Sequence, residues 1–143
     1  MSVYYPSLPT FERLASRGNV VPVCRQLMAD CLTPVSAFRN MAAEPFAFIL
    51  ESVTGGEKIG RYSILGCRPF ATFKAQGDRV EIWRDGQTNA FTCDDPLKAF
   101  EEMLGEFNQV EPEELPGSPG DVLGGAIGYV SYDAVRYVEN LPD

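Results

Sequence analysis

Side chains that could bind a zwitterion are concentrated in one short stretch of the sequence, LESVTGGEKIGRYSILG. Glu51 has a carboxylate that suits an ammonium group, and the neighbouring Ser52 has a hydroxyl that can donate or accept a hydrogen bond. Lys58 and Arg61 can neutralise a carboxylate, and an arginine can do so through two parallel hydrogen bonds. These residue types at this spacing favour a site that holds both ends of a small amino acid.

A surface ion pair explains the same charges. Glu51 and Arg61 could face each other across a hairpin, in an interaction that contributes about 0–1 kcal/mol when it is exposed. Tyr62 adds an aromatic face with a polar tip, which suits a ligand or the protein's own packing. Since exposed charges are usual in folded proteins, the residues alone favour the ion pair.

The composition limits the chemistry that the chain can perform. It contains no histidine, which excludes Ser-His and Cys-His nucleophile pairs and leaves carboxylate, lysine or tyrosine chemistry. No group of residues resembles a complete catalytic centre or a cofactor motif. A formal net charge of −8 disfavours binding to nucleic acid or to an anionic membrane surface.

The sequence also predicts a cytoplasmic location. No apolar run approaches the roughly 20 residues that span a bilayer, and the first residues do not form a signal peptide. The cysteines form no C-x-x-C pair, and no histidine is present to complete a zinc site. We therefore predict no metal site, and free buried thiols in a reducing compartment, at Cys24, Cys31, Cys67 and Cys93.

Three short helices are predicted from start signals and apolar spacing. Thr33 followed by Pro34 begins a helix that runs to residue 41. Apolar positions favour another helix over residues 9–17, with Gly18 as its C-cap, and a third over residues 131–137.

A fourth helix has the clearest pattern. Asp94 or Asp95 serves as its N-cap, and Pro96 occupies its first turn. Apolar side chains recur at helical spacing and predict one buried face, made of Leu97, Phe100, Leu104 and Phe107.

The strand predictions describe an antiparallel meander. Residues 46–52, FAFILES, are a strong candidate for a buried strand, and shorter extended segments are predicted over 20–27 and 61–65. The pairs Gly77-Asp78 and Asp85-Gly86 are turn signals, and the second is typical of a type I′ hairpin. These turns separate three further strands, over 70–74, 79–84 and 90–93. The 143 residues thus predict an α+β fold, a mostly antiparallel meander with flanking short helices.

Two segments near the end of the chain have opposite character. Residues 111–120, EPEELPGSPG, predict an exposed loop that is rich in Pro, Gly and Glu. Residues 123–130 predict a Gly-rich apolar strand that lies close to a neighbouring element. Its GGAIG cluster lacks the pattern of a phosphate-binding loop.

Several spaced motifs give the chain a resemblance to one enzyme family over nearly its whole length. The stretch FILESVTGGEKIGRYSILG resembles the N-terminal region of the large subunit, component I, of anthranilate synthase. In that family a Leu-Glu-Ser strand end precedes Gly-Gly-Glu and then Gly-Arg-Tyr-Ser. The segments PSLPTFERLASRGNVVPV, TPVSAF and GGAIGYVSYDAVRYVENLP resemble the same family. Several motifs in this order are more specific than one short pattern.

The resemblance implies that residues 1–143 are an N-terminal regulatory domain that binds L-tryptophan as a feedback inhibitor. It places Leu50, Glu51 and Ser52 in the inhibitor pocket. Ser52 would bond to the backbone groups of the amino acid, and Glu51 would meet its ammonium group. The other wall of the pocket would contain Lys58, Arg61, Tyr62 and Ser63.

The resemblance also implies partners outside the chain. The expected ones are its own C-terminal chorismate-binding catalytic domain, with an Mg²⁺ site, and a glutamine amidotransferase subunit, component II, that delivers ammonia. The full-length protein would be a lyase that makes anthranilate and pyruvate from chorismate in tryptophan biosynthesis. Residues 1–143 alone would not be an enzyme.

Two alternatives stay open. One is the equivalent domain of aminodeoxychorismate synthase component I, in the folate pathway. The other is a module that docks a partner chain and binds no small ligand. The intact Glu-Ser followed by GEKIGRYS favours anthranilate synthase.

Overall fold

The computed structural model describes residues 4–51, 62–110 and 124–139. The chain divides into two compact units. The first contains the described residues among 1–26, 73–82 and 88–143, and the second contains those among 27–72 and 83–87. No helix in the described part of the chain is both long enough and apolar enough to cross a membrane.

The first unit combines short helices with a two-stranded ribbon. Its elements are β1 (Tyr4–Tyr5), α1 (Leu8–Ala15), β2 (Cys24–Arg25), α3 (Pro96–Gly105) and a 3-10 helix (Tyr132–Tyr137). β1 and β2 pair antiparallel. The Asp95 carboxylate accepts the Lys98 backbone N–H at 3.0 Å, so Asp95 is the N-cap of α3. The helices predicted over 9–17 and 131–137 are both confirmed, the second as a 3-10 helix.

In the first unit, the segments that follow the two longer helices are joined by backbone hydrogen bonds. The backbone N–H groups of Asn19 and Val20 both donate to the carbonyl of Asn108, at 3.0 and 3.2 Å. The Val110 N–H donates back to the Val20 carbonyl at 2.9 Å. Gly18 lies directly against the Asn108 carbonyl, where a side chain would not fit. The prediction that Gly18 caps α1 was wrong, because the cap residue is Ser16 and Gly18 serves this close approach instead.

The second unit is a helix packed on a hairpin. Its elements are α2 (Pro34–Met41), β3 (Phe48–Glu51) and β4 (Ser63–Gly66), and α2 contacts both strands. α2 starts with a reciprocal capping box. The Ser36 N–H donates to the Thr33 hydroxyl at 3.2 Å, and the Thr33 N–H donates to the Ser36 hydroxyl at 2.8 Å. The start that Thr33 and Pro34 predict is therefore confirmed.

A three-stranded meander supplies residues to both units. Its strands are β5 (Ala71–Gln76), β6 (Arg79–Arg84) and β7 (Gln87–Thr92), in that spatial order. At the second turn Asp85 has φ +52° and Gly86 has φ +78°. Two positive φ values in a two-residue loop are the mark of a type I′ turn, as predicted. With antiparallel pairing in the smaller sheets and short helices around them, the α+β fold class is confirmed.

Predictions that depended on burial were less accurate. Residues 124–131 form no strand, which corrects the strand predicted over 123–130. On α3, Leu97 and Leu104 are each more than a third exposed, so the predicted buried face is only partly buried. Phe100 does pack inward, with its ring 5.0 Å from that of Phe73. An apolar stripe shows which face a helix would bury, but not what covers that face.

Three further predictions need similar correction. The strand expected over 20–27 is reduced to β2 and an isolated bridge between Val20 and Gln109. β3 begins at Phe48, two residues later than the buried strand expected over 46–52, its residues 50 and 51 are exposed, and Ser52 lies outside the described residues. The four cysteines are free, as predicted, but none is buried. The loop predicted over 111–120 lies outside the described residues.

Candidate functional site

The predicted ligand residues that the structure describes meet at one end of the described ladder between β3 and β4. The strands pair antiparallel in four steps, from Phe48 opposite Gly66 to Glu51 opposite Ser63. Leu50 and Glu51 therefore lie beside the start of β4, next to Ser63 and the preceding Tyr62. Two parts of the sequence that were assigned to opposite walls of one pocket are neighbours across a ladder.

The two faces of the hairpin divide these residues into a polar and an apolar group. Residues directly opposite each other in an antiparallel ladder share a face, and successive residues alternate between faces. Glu51 and Ser63 are therefore on one face, while Leu50 and its partner Ile64 are on the other. The same alternation puts Tyr62 on the face of Leu50.

Three of the predicted site residues, Ser52, Lys58 and Arg61, lie outside the described residues. Among those described, Leu50, Glu51 and Tyr62 are exposed and Ser63 is half-buried. The end of the hairpin thus presents a carboxylate, a hydroxyl, an aliphatic side chain and an aromatic ring to its surroundings. These groups suit an ammonium group and an apolar side chain on one ligand.

The opposite end of the hairpin is closed by packing. The ring of Phe48 lies directly over Gly66, in the space that a side chain at position 66 would occupy. This contact requires a glycine at position 66. It accounts for a residue that usually weakens a strand, because a glycine has no side chain to pack. It also fixes which residue of β4 lies opposite Phe48.

An arginine–glutamate clamp lies just outside this contact. The Arg68 guanidinium donates through Nε and Nη2 to the two carboxylate oxygens of Glu44, at 2.7 and 2.6 Å. The Arg68 backbone N–H also donates to the Pro45 carbonyl at 3.0 Å. The side-chain hydrogen bond from Arg68 is the main cause that lowers the pKa of the Glu44 carboxyl, and it raises the pKa of Arg68.

Both strands have a left-handed residue at this point. Phe46 has φ +56° and Arg68 has φ +52°. Because Phe48 pairs with Gly66, the residues two positions further out, Phe46 and Arg68, would be the next pair but one on the ladder. The left-handed region costs an ordinary residue about 1–2 kcal/mol and does not continue a strand. At this end of the ladder, the regular strand conformation therefore stops in both chain segments.

Sequence reasoning missed the clamp. The available signal was that Glu44 and Arg68 each stand directly before a proline, on either side of the hairpin. Residues before proline avoid the α-helical region, which favours an abrupt change of direction. Nothing in the sequence showed that the two charges would meet.

A groove in the first unit contains none of the predicted ligand residues. Its volume is about 380 Å³, and it lies between α3 and strands β6 and β7, with Ile82, Phe91 and Met103 in its lining. Lys98 and Glu102 are charged residues in the same lining. Among the described residues, no group of three or more acidic or cysteine side chains could hold a metal ion. The residues that match the predicted chemistry are therefore those of the hairpin.

Comparison with known proteins gives relatives with one name. The chain is 40% identical over 136 residues to anthranilate synthase component 1 of a Synechocystis species, and this alignment covers 94% of the chain. It is 41% identical over 131 residues to the Pseudomonas aeruginosa protein of the same name, and 33% identical over 141 residues to that of Acetivibrio thermocellus. These alignments cover 90% and 99% of the chain. No protein-family model matches the chain.

The matched region is only part of each relative. The chain spans 26% of the Synechocystis and Pseudomonas proteins and 28% of the Acetivibrio protein. That share is consistent with the N-terminal region that the sequence motifs resemble. Over nearly its whole length, the chain is a homologue of anthranilate synthase component 1.

Proposed function

We propose that this chain is the feedback-regulatory region of an anthranilate synthase component 1 and that it binds L-tryptophan at the end of the β3–β4 hairpin. The whole protein would convert chorismate and ammonia into anthranilate and pyruvate. L-tryptophan would inhibit it by binding the less active arrangement more tightly than the active one.

One observation carries the proposal. Glu51 and Ser63 come from the two parts of the sequence that the family resemblance assigns to one pocket, and they are directly opposite each other in one ladder. Neighbouring positions on paired strands give a ligand fixed partners on a rigid element. Glu51 would accept hydrogen bonds from the ammonium group. Leu50 and Tyr62 would contact the indole ring.

The remaining partners belong to the same proposal. Ser52 would bond to the backbone groups of the amino acid, and Lys58 and Arg61 would bind its carboxylate. The relatives are named component 1, which implies a second component, and we propose a glutamine amidotransferase for that role. The Mg²⁺ site and the catalytic residues would belong to a chorismate-binding domain outside this chain.

Exposed apolar side chains near the end of the described chain support packing against that further domain. Tyr129 and Tyr132 are 94% and 87% exposed, and Ile127 and Val130 between and before them are also at least half exposed. A cluster of large exposed apolar residues is a usual mark of an interface. The segment over which a strand was expected, residues 123–130, would then find its partner strand there.

Isothermal titration calorimetry with L-tryptophan tests the ligand. We expect saturable binding by the 143-residue chain and weaker binding of D-tryptophan, whose ammonium and carboxylate groups are exchanged in position. Replacing Glu51 by Gln removes the charge at nearly constant shape. This loss of a hydrogen bond to a charged group should weaken binding at least about tenfold.

Glu101→Gln is the matched control, because Glu101 is an exposed carboxylate on α3. It should leave the affinity unchanged, whereas Ser52→Ala should reduce it. No saturable heat at millimolar L-tryptophan, or equal affinities for wild type and Glu51→Gln, would contradict the proposal.

A further inference from the structure

Two features of the β3–β4 hairpin can fix its register: the packing of the Phe48 ring on Gly66, and the Glu44–Arg68 contact outside the ladder. The paired strands read FILE and SILG. A slip by one position would place Phe48 opposite Leu65 and Ile49 opposite Ile64, which are also apolar pairs. The apolar pattern by itself therefore does not select one register.

Register decides which side chains share a face. A slip by one residue moves every side chain of a strand relative to its partner and exchanges the faces. Glu51 and Ser63 would then no longer be directly opposite each other. A site at the end of the hairpin therefore exists in one register only.

We propose that Glu44 and Arg68 are positioning residues, which hold the β3–β4 hairpin in the register that places Glu51 opposite Ser63. Glu44 and Arg68 lie beyond the Phe48–Gly66 end of the ladder, on the segments that precede β3 and follow β4. The bidentate contact requires the Arg68 guanidinium and the Glu44 carboxylate to keep one distance and one angle. The hydrogen bond from the Arg68 backbone N–H to the Pro45 carbonyl holds the backbone of the same two segments together. In a slipped register these three bonds cannot form together.

Two features support a role of the clamp in setting the register of β3 and β4, rather than only in stabilising the fold. The side chains of Arg68 and Glu44 are 70% and 34% exposed, and exposed ion pairs contribute little to stability. Two non-glycine residues at the clamp, Arg68 itself and Phe46 next to Pro45, nevertheless lie in the left-handed region. Unfavourable backbone conformations persist where the surroundings enforce them for a purpose. Here they end the ladder on both strands at once.

The inference rests on the proposed function only for its ligand readout. The register itself is measured by cross-strand nuclear Overhauser contacts of the full chain, which identify the four pairs from Phe48–Gly66 to Glu51–Ser63. The main variant is Arg68→Gln, which removes the charge and the fork but keeps a non-glycine residue at φ +52°. Arg79→Gln is the matched control, because Arg79 and Glu81 form an ion pair of 2.7 Å on β6 with exposures of 64% and 37%.

We expect Arg68→Gln to weaken the four cross-strand contacts, or to add a second set of contacts from a slipped register. Arg79→Gln should leave the four contacts unchanged. If about one tenth of the molecules keep the native register, the apparent affinity for L-tryptophan falls about tenfold. The charge-exchanged variant with Glu44→Arg and Arg68→Glu restores an opposite-charge pair and should recover part of both signals. A loss of stability without a change of register would not show this recovery.

The possible failures are distinguishable. If wild type does not bind L-tryptophan, the proposed function fails, and the cross-strand contacts alone decide the role of the clamp. Wild-type contacts in Arg68→Gln overturn the positioning role, whatever the affinity. If Arg68→Gln does not fold by circular dichroism, Arg68→Lys is measured instead, because it keeps the charge and loses the planar fork. An unchanged register in that variant overturns the inference equally.

Discussion

The side chain of Asn19 bridges the two segments that follow α1 and α3. Its Oδ1 accepts the Asn108 backbone N–H at 2.7 Å, and its Nδ2 donates to the Glu106 carbonyl at 2.7 Å. The Asn108 side chain reaches back in turn to the Arg17 carbonyl at 3.3 Å. The two asparagines therefore complete a junction that the backbone alone would leave partly unpaired.

We expect Asn19→Ala to destabilise the first unit by about 1–3 kcal/mol, since it removes two hydrogen bonds of about 0.5–1.5 kcal/mol each. Urea unfolding followed by circular dichroism measures this change. Asn89→Ala, at an exposed position of β7, is the control and should change stability by less than about 0.5 kcal/mol. Equal effects of the two substitutions would show that the junction contributes nothing particular.

Gly66→Ala should destabilise the hairpin, because the added methyl group would occupy the space of the Phe48 ring. Overpacking of this kind costs about 1–3 kcal/mol. Gly105→Ala is the control, because a methyl group there meets no atom within 4 Å and the position belongs to α3. It should be neutral or stabilise the chain by up to about 1 kcal/mol. If Gly66→Ala were as stable as the wild type, the Phe48 ring would have moved aside without cost, which would contradict this prediction.

Thr33→Ala should reduce the free energy of unfolding by about 0.5–2 kcal/mol, the usual effect of losing an N-cap side chain. The loss should be larger than that of Ser7→Ala. Ser7 is the corresponding residue of α1, but its side chain makes no capping bond to the backbone. Thermal unfolding of both variants gives the comparison, and a larger loss at Ser7 would contradict the capping box.

The Glu44–Arg68 clamp should weaken in acid. Its hydrogen bond to Arg68 lowers the pKa of the Glu44 carboxyl below the usual 4.5, so the folded state binds this proton less readily than the unfolded state. The contribution is complete above pH 4.5 and is lost as the pH falls through the lowered pKa. We expect a nuclear magnetic resonance titration of Glu44 to have its midpoint below 4.5. In Arg68→Gln the midpoint should rise, and an unchanged midpoint would contradict the effect of the guanidinium.

Local signals in the sequence predicted local structure accurately. Thr33 with Pro34 and Asp95 with Pro96 start helices because their side chains and fixed φ act on the adjacent turn. Asp85 and Gly86 form their turn because both tolerate a positive φ. None of these features needs a distant partner, so a single sequence contains the necessary information.

Features that depend on distant partners were not predictable in the same way. Residues 124–131 have the composition of a strand, but a strand forms only beside another strand. Glu44 and Arg68 are 24 residues apart, and their contact depends on how α2 packs on the hairpin. For the candidate site, the sequence named the residue types. The pairing of Glu51 with Ser63, and the separation of the polar and apolar groups onto two faces, required the register.

The position of the clamp has a consequence for how such a domain can diversify. A hairpin that is aligned at its base tolerates changes of length at its tip, because insertions there leave the strand pairing intact. Residues 52–62 could thus lengthen, shorten or change composition while Leu50, Glu51 and Ser63 kept their relative places. A lineage could then alter the sequence between the two strands without rebuilding the domain that carries it.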